Sequence, residues 1–219
     1  MGAYFVGLDL GQRQDFTAVA VVERREAAGA APEALLVRHL ERMPLGTPYT
    51  KVVGRVCEMM RHPKLAGRSR LVVDATGVGA PVVELLRAAG LGGRLTAVTI
   101  TGGERAHGRS EEWYVPRREL LTGLEVLLES KRLKICGRLA ETGRLVREFT
   151  SLRLSGNSGQ KADRRRVGDG CEGPAGDAAG CALGGKSAEH DDLVMALGLA
   201  CWRAKGGKSG FGTRRLPGI

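Results

Sequence analysis

The chain has 219 residues, five of them cysteines, and carries 34 Lys and Arg against 24 Asp and Glu for a formal net charge of +10. That length suits one domain with a full hydrophobic core and is short for two domains and a linker. The cysteines (Cys57, Cys136, Cys171, Cys181, Cys201) are scattered and never spaced C-x-x-C, which argues against a zinc site or redox pair.

No apolar run approaches the roughly 18 to 20 residues that span a bilayer, and MGAYFVGLDLGQ lacks a basic start, so a soluble, cytoplasmic protein with no membrane partner is expected. Arginine far outnumbers lysine. Planar guanidinium groups recognise phosphate in a bidentate way, which makes nucleic acid the leading partner.

Taken in chain order, AYFVGLDL (3–10) and TAVAVVE (17–23) are apolar, β-rich runs around the turn-like GQRQDF, the pattern of a hairpin. ALLVRHLERM (34–43) is a third strand. TPYTKVVGRVCEMMRHP offers Thr47 as a cap before Pro48, with Val52, Val53, Val56, Met59 and Met60 at helical spacing as far as Pro63. SRLVVDATGVGAPVVELLRAAGLGG then predicts a buried strand, a glycine turn and a helix over 77–90, returning as the strand RLTAVTI (94–100).

A polar loop, TGGERAHGRSEEW, leads to a helix opening at Pro116 with Leu120, Leu121, Leu124, Leu127 and Leu128 on one face. A second helix, RLAETGRLVREF, follows. Residues 155–188 are dense in Gly, Ser, Asp and Arg without periodicity and are expected to form a flexible insertion or flap. The last helix spans 191–204, ahead of a basic tail over 206–219 that is expected to be disordered. The expected class is a single α/β domain over 1–205, a three-strand antiparallel meander followed by parallel strands, flanked by helices.

Asp9 lies late in the first strand, on the face of Phe5 and Gly7, while Val6, Leu8 and Leu10 point the other way. Asp74 ends RLVVD, and the carboxyl ends of parallel strands are where open α/β sheets place their sites. Asp191 and Asp192 open the final helix. Each acid alone has an ordinary explanation as a turn residue, a helix cap or a partner of the helix dipole. Together, at the ends of elements and beside apolar runs, they suit hard-oxygen ligation of magnesium or manganese, and two such ions can hydrolyse a phosphodiester.

VGLDLGQRQDFTAVAVVE, RLVVDATGVGAPVVELL and EHDDLVMALGLACW, in this order and spacing, resemble the RNase H-like nuclease domain of phage terminase large subunits, the DNA-packaging proteins. WYVPRRELLTGLEVLLESKRLKI is similar to that family's Val-Pro-Lys/Arg helix and the short strand after it. The resemblance implies an RNase H-like sheet and a two-ion, Mg2+ or Mn2+, endonuclease acting on double-stranded DNA in a phage- or prophage-infected cell. It places the catalytic metal ligands on Asp9, Asp74 and Asp192, with Asp191 auxiliary and Asp15 and His190 behind them. A separate packaging ATPase, a small terminase subunit or a portal are the implied partners, because the family's ATPase domain precedes the nuclease and this chain opens on the first nuclease strand.

Two segments depart from the family. KADRRRVGDGCEGPAGDAAGCALGGKS lacks the strand character of the family's hairpin near DNA, although Arg164, Arg165 and Arg166 there are candidates for phosphate contact. GCALGGKS formally matches a phosphate-binding loop but lacks the buried strand that must precede one. Alternatives are a junction-resolving or RNA-cleaving nuclease on the same fold, or a decayed, non-catalytic DNA-binding or docking module. VGLDLGQ also resembles the phosphate strand of sugar kinases and actin-like ATPases, which need two such halves and far more chain.

Overall fold

A computed structural model describes residues 3–11, 15–27, 33–158 and 190–206. Strands β1 (Ala3–Asp9), β2 (Ala18–Arg25) and β3 (Ala34–Arg42) form the expected antiparallel meander. Helix α1 (Tyr49–Arg61), β4 (Ser69–Asp74), α2 (Gly79–Leu86) and β5 (Leu95–Thr101) follow, then β6 (His107–Arg109), β7 (Glu112–Pro116), α3 (Arg117–Glu129), β8 (Leu133–Ile135), α4 (Thr142–Ser158) and α5 (Asp192–Ala204). One eight-stranded mixed sheet results, in the order β6-β7-β5-β4-β1-β2-β3-β8.

Alternation along β1 assigns its side chains to two layers. Val6 and Leu8 join the α1 and α2 side chains Val52, Val56, Met60, Val82 and Leu86 in one core. Phe5, with Ala18, Ala20 and Val22 of β2, meets Leu193, Leu197 and Ala200 of α5 in the other. Gly7 faces α5 as well, and a Cβ there would lie 1.9 Å from the Ala196 carbonyl oxygen. Only glycine lets the helix backbone approach the central strand that closely. The register then does the rest: Leu8 stands beside Val73 in the parallel β1–β4 pair, which leaves Asp9 and Asp74 next to each other at adjoining carboxyl ends.

Several local expectations change. The polar loop after β5 contains the hairpin β6–β7, with β7 parallel to β5, and its edge position explains the missing apolar alternation: the three β6 residues are exposed. Thr47 does not cap α1; its hydroxyl donates to the Pro44 carbonyl, and Pro48 occupies the cap position. The helix expected over 77–90 is regular only to Leu86 and unwinds through a π turn (Arg87–Leu91), where Gly90 takes a positive φ of 85°. Helix α4 runs to Ser158, so residues 155–158 of the expected flap are helical. The remainder of that segment, with Arg164, Arg165, Arg166 and the GCALGGKS match, lies outside the described residues, as does the tail from 207 onward. Among the described residues no helix is long and apolar enough to cross a membrane.

Replacing Gly7 by Ala forces backbone apart from backbone at a buried crossing. Overpacking of this kind costs about 3 kcal/mol, and at roughly 2 to 4 °C per kcal/mol for a chain of this size the melting temperature should fall by about 6 to 12 °C. Thermal unfolding followed by circular dichroism checks it; an unchanged Tm would mean that α5 does not sit on β1 as described.

Candidate metal centre

Helix α5 brings its cap residue Asp191 and its first residue Asp192 towards the ends of β1 and β4. Asp192 is 5% exposed, and its Oδ2 accepts the Phe16 N–H at 3.3 Å and lies 3.7 Å from Arg42 Nε. The Arg42 guanidinium carbon stands 3.3 Å from the centre of the Phe16 ring, so the cation is held between an aromatic face and the acid. Asp191 occupies the cap position of α5 yet makes no side-chain cap hydrogen bond; its carboxylate instead pairs with Arg117 at the start of α3.

The cap comes from elsewhere. Glu148, on α4 and only 3% exposed, accepts the Val194 N–H at 3.1 Å. Helix N-termini carry unpaired N–H groups and partial positive charge, which a carboxylate satisfies. With Glu148 in that role, the adjacent acids Asp191 and Asp192 are released from capping. Burial pushes the Glu148 carboxyl up to about 7.

Asp9 retains some exposed surface, but its carboxyl is set deeply enough that burial, followed by the carboxyls of Asp74, Asp192 and Asp191, raises it well above the usual carboxylate range. Burial also raises Asp74, against opposing hydrogen bonds from Thr76 and Asp9. The backbone N–H of Thr76 donates to Asp74 Oδ1 at 2.8 Å, and the Thr76 hydroxyl oxygen accepts the Ile100 N–H at 2.9 Å, pinning the turn after β4 to β5. Asp9 and Asp74 end adjoining parallel strands, and the Asp74 carboxyl makes the charged form of Asp9 costlier. Burial also raises Asp192, with Arg42 opposing.

Asp15 and His190 complete the rim. His190 Nδ1 pairs with Asp15 Oδ1 at 2.9 Å, and one ligand atom from each of Asp15, His190 and Asp192 falls within 4.8 Å of the others. Asp15, His190 and Asp192 thus bring their ligand atoms together, Asp9 and Asp74 end adjoining strands, and Asp191 pairs with Arg117; among the described residues the tight cluster does not include Asp9, Asp74 or Asp191. The donor set is carboxylate oxygen with one imidazole, which fits a hard divalent cation. One oxygen of the Glu148 carboxyl, Oε1, is buried near Asp192 without a hydrogen-bond partner.

Glu148 was not singled out in the sequence. Nothing in GRLVREFTSL distinguishes it from a surface glutamate except its place on the apolar side of α4, and only the packing of α4 beneath α5 reveals its role.

No protein-family model matches the chain, and no curated protein matches it in sequence. Among solved structures, it is similar to the manganese-soaked human cytomegalovirus terminase nuclease domain, with a TM-score of 0.51 at 14% identity over 93% of this chain and 84% of that one. It is also similar to the large terminase nuclease of thermophilic phage G20c (TM-score 0.48, 21% identity, 91% and 81% covered). A third is Thermus thermophilus RuvC (TM-score 0.40, 15% identity, 93% and 96% covered). At these identities the likeness is one of fold, and the first structure carries it: the mixed eight-stranded sheet with helices on both faces is RNase H-like.

Substituting Glu148 by Ala leaves the buried Val194 N–H of α5 without its cap and should cost about 1 to 2 kcal/mol, whereas Gln, which keeps an acceptor oxygen, should hold the helix. Urea unfolding in EDTA measures both. The Gln variant should also gain on the parent as pH rises from 4.5 towards about 7. The folded parent keeps a proton there that the unfolded chain has lost, so its stability falls across that window by up to about 3 kcal/mol. A flat difference between the two proteins over that range would contradict a buried, protonatable Glu148.

Proposed function

We propose that the chain is a divalent-metal-dependent nuclease of the terminase large subunit type, cutting double-stranded DNA with two Mg2+ or Mn2+ ions. The observation that carries this reading is the cluster of Asp15, His190 and Asp192, whose ligand atoms lie within 4.8 Å of one another at the start of α5, together with Asp9 and Asp74 at the adjoining carboxyl ends of β1 and β4. Four acids held together at a buried edge repel one another unless positive charge enters. Divalent ions in such a site supply a nucleophile at neutral pH and stabilise charge on the leaving oxygen.

The residues of the chain divide the work. Asp9, Asp74 and Asp192 hold the ions, with Asp191 auxiliary and oriented by Arg117. The Phe16 N–H and Arg42 fix Asp192 in place and offset its charge. Asp15 orients His190 through Nδ1, which leaves Nε2 free to bind an ion or carry a proton. Arg117 and Arg118, at the start of α3 next to the acids, hold phosphate by charge and shape, assisted by Arg164, Arg165 and Arg166. In a packaging system a separate ATPase, a small terminase subunit or a portal would bring DNA to this site in the cytoplasm of the host cell.

The test is conversion of supercoiled plasmid to nicked and linear forms in magnesium or manganese, comparing the parent with Asp74→Asn. Loss of several kcal/mol of charge stabilisation predicts a rate at least about a hundredfold lower in the variant. Failure of the parent to cut, with no metal bound in calorimetry, would sink the nuclease reading and leave a DNA-binding or docking module.

A further inference from the structure

On the opposite face and at the opposite end of the sheet from the acids, a groove of about 930 Å³ opens between α1 and strands β1 to β3. Tyr4, at its floor, lies five residues before Asp9 in β1 and packs with the α1 core, whereas Asp9 shares the face of Gly7 beneath α5. At roughly 3.3 Å per residue the groove floor is about 17 Å from the acids along the strand, and the sheet stands between them.

Six cations line this groove: Arg25, Arg38, Arg55, Arg61, Lys64 and Arg68. Only two acids, Glu23 and Glu58, line it with them. Those acids are already engaged: Arg38 reaches Glu23 at 2.6 Å and Arg25 at 3.4 Å, while Arg55 bonds both Glu58 and Glu41 at 2.9 Å. Hydrogen bonds from His39 and Arg55 hold the Glu41 carboxyl at about 2. The groove therefore binds carboxylates from its own chain in guanidinium forks and still has a surplus of positive charge at the exposed Arg61 and Lys64.

We propose that this groove docks an acidic peptide segment of a partner protein. Its concave form fits one extended chain, and its chemistry is that of carboxylate capture. Single-stranded nucleic acid is a poorer fit, because such strands are held by rows of stacking aromatics; of the rings lining the groove, Tyr4 is covered by Arg68 at 5.8 Å from the ring centre and His39 is tied to Glu41, which leaves His62. Docking here goes beyond the nuclease reading and does not depend on it.

The test is a fluorescence anisotropy titration of a fluorescein-labelled oligoglutamate peptide with the full chain at low and physiological salt. The Arg61→Gln, Lys64→Gln double variant is compared with a control, Lys134→Gln, Arg138→Gln, which removes equal charge from exposed positions outside the groove. Parent and control should bind the peptide alike, and the groove variant about tenfold more weakly at low salt, with unchanged melting and unchanged plasmid binding and cleavage. Equal weakening of both variants would reduce the effect to net charge and overturn the proposal. So would a groove variant that lost duplex or single-strand binding but kept the peptide, which would make this a nucleic-acid surface.

Discussion

The arrangement of this molecule depends on the crossing of α5 over β1 at Gly7. A side chain there would overlap the Ala196 carbonyl, so the strand and helix backbones touch directly. That contact brings the helix N-terminus level with the carboxyl end of the strand, and the acids of a segment almost two hundred residues away in sequence come to face Asp9. The rest of α5 is buried nearly throughout, from Leu193 to Cys201, which explains why a helix with so few charged residues is the last regular element to join the sheet. Its apolar surface is stable only against both β1 and β2 on one side and α3 and α4 on the other.

Concentrating acids this way runs against folding, since burial and mutual repulsion both disfavour the charged forms. The chain limits that cost with cations placed one per acid where space permits: Arg42 beside Asp192, Arg117 beside Asp191. Among the described residues no cation is paired with Asp9 or Asp74, and burial raises both carboxyls. The asymmetry is informative. Acids with a protein counter-ion are restrained in orientation, while the pair without one has the unmet demand for positive charge that a metal ion satisfies.

The three strands of the meander, the α1 stripe, the β4–α2 unit and the last helix were all legible in the sequence, because each has a buried face whose period matches its element. Asp9 was legible for the same reason, as a polar residue breaking the α5 face of an apolar strand. The β6–β7 hairpin was not, since exposed edge strands have no apolar alternation to report them and are held by backbone pairing and by contacts such as Trp113 against Trp202. Glu148 was illegible because its importance comes from where α5 ends up, and the groove cations because their convergence needs α1 and three strands in place. Sequence periodicity speaks to elements and faces; charges brought together from different elements require the topology.

That topology also separates the charge. The α5 face at the carboxyl ends of β1 and β4 gathers the acids, and the α1 face towards the amino end of β1 gathers cations, so one sheet insulates two fields of opposite sign. A polyanion is drawn to the chain by its net charge of +10 but repelled by the acid centre unless cations occupy it. On the proposed nuclease reading, a metal ion bound there would offset the repulsion among the acids and make that end of the sheet accept phosphate rather than reject it.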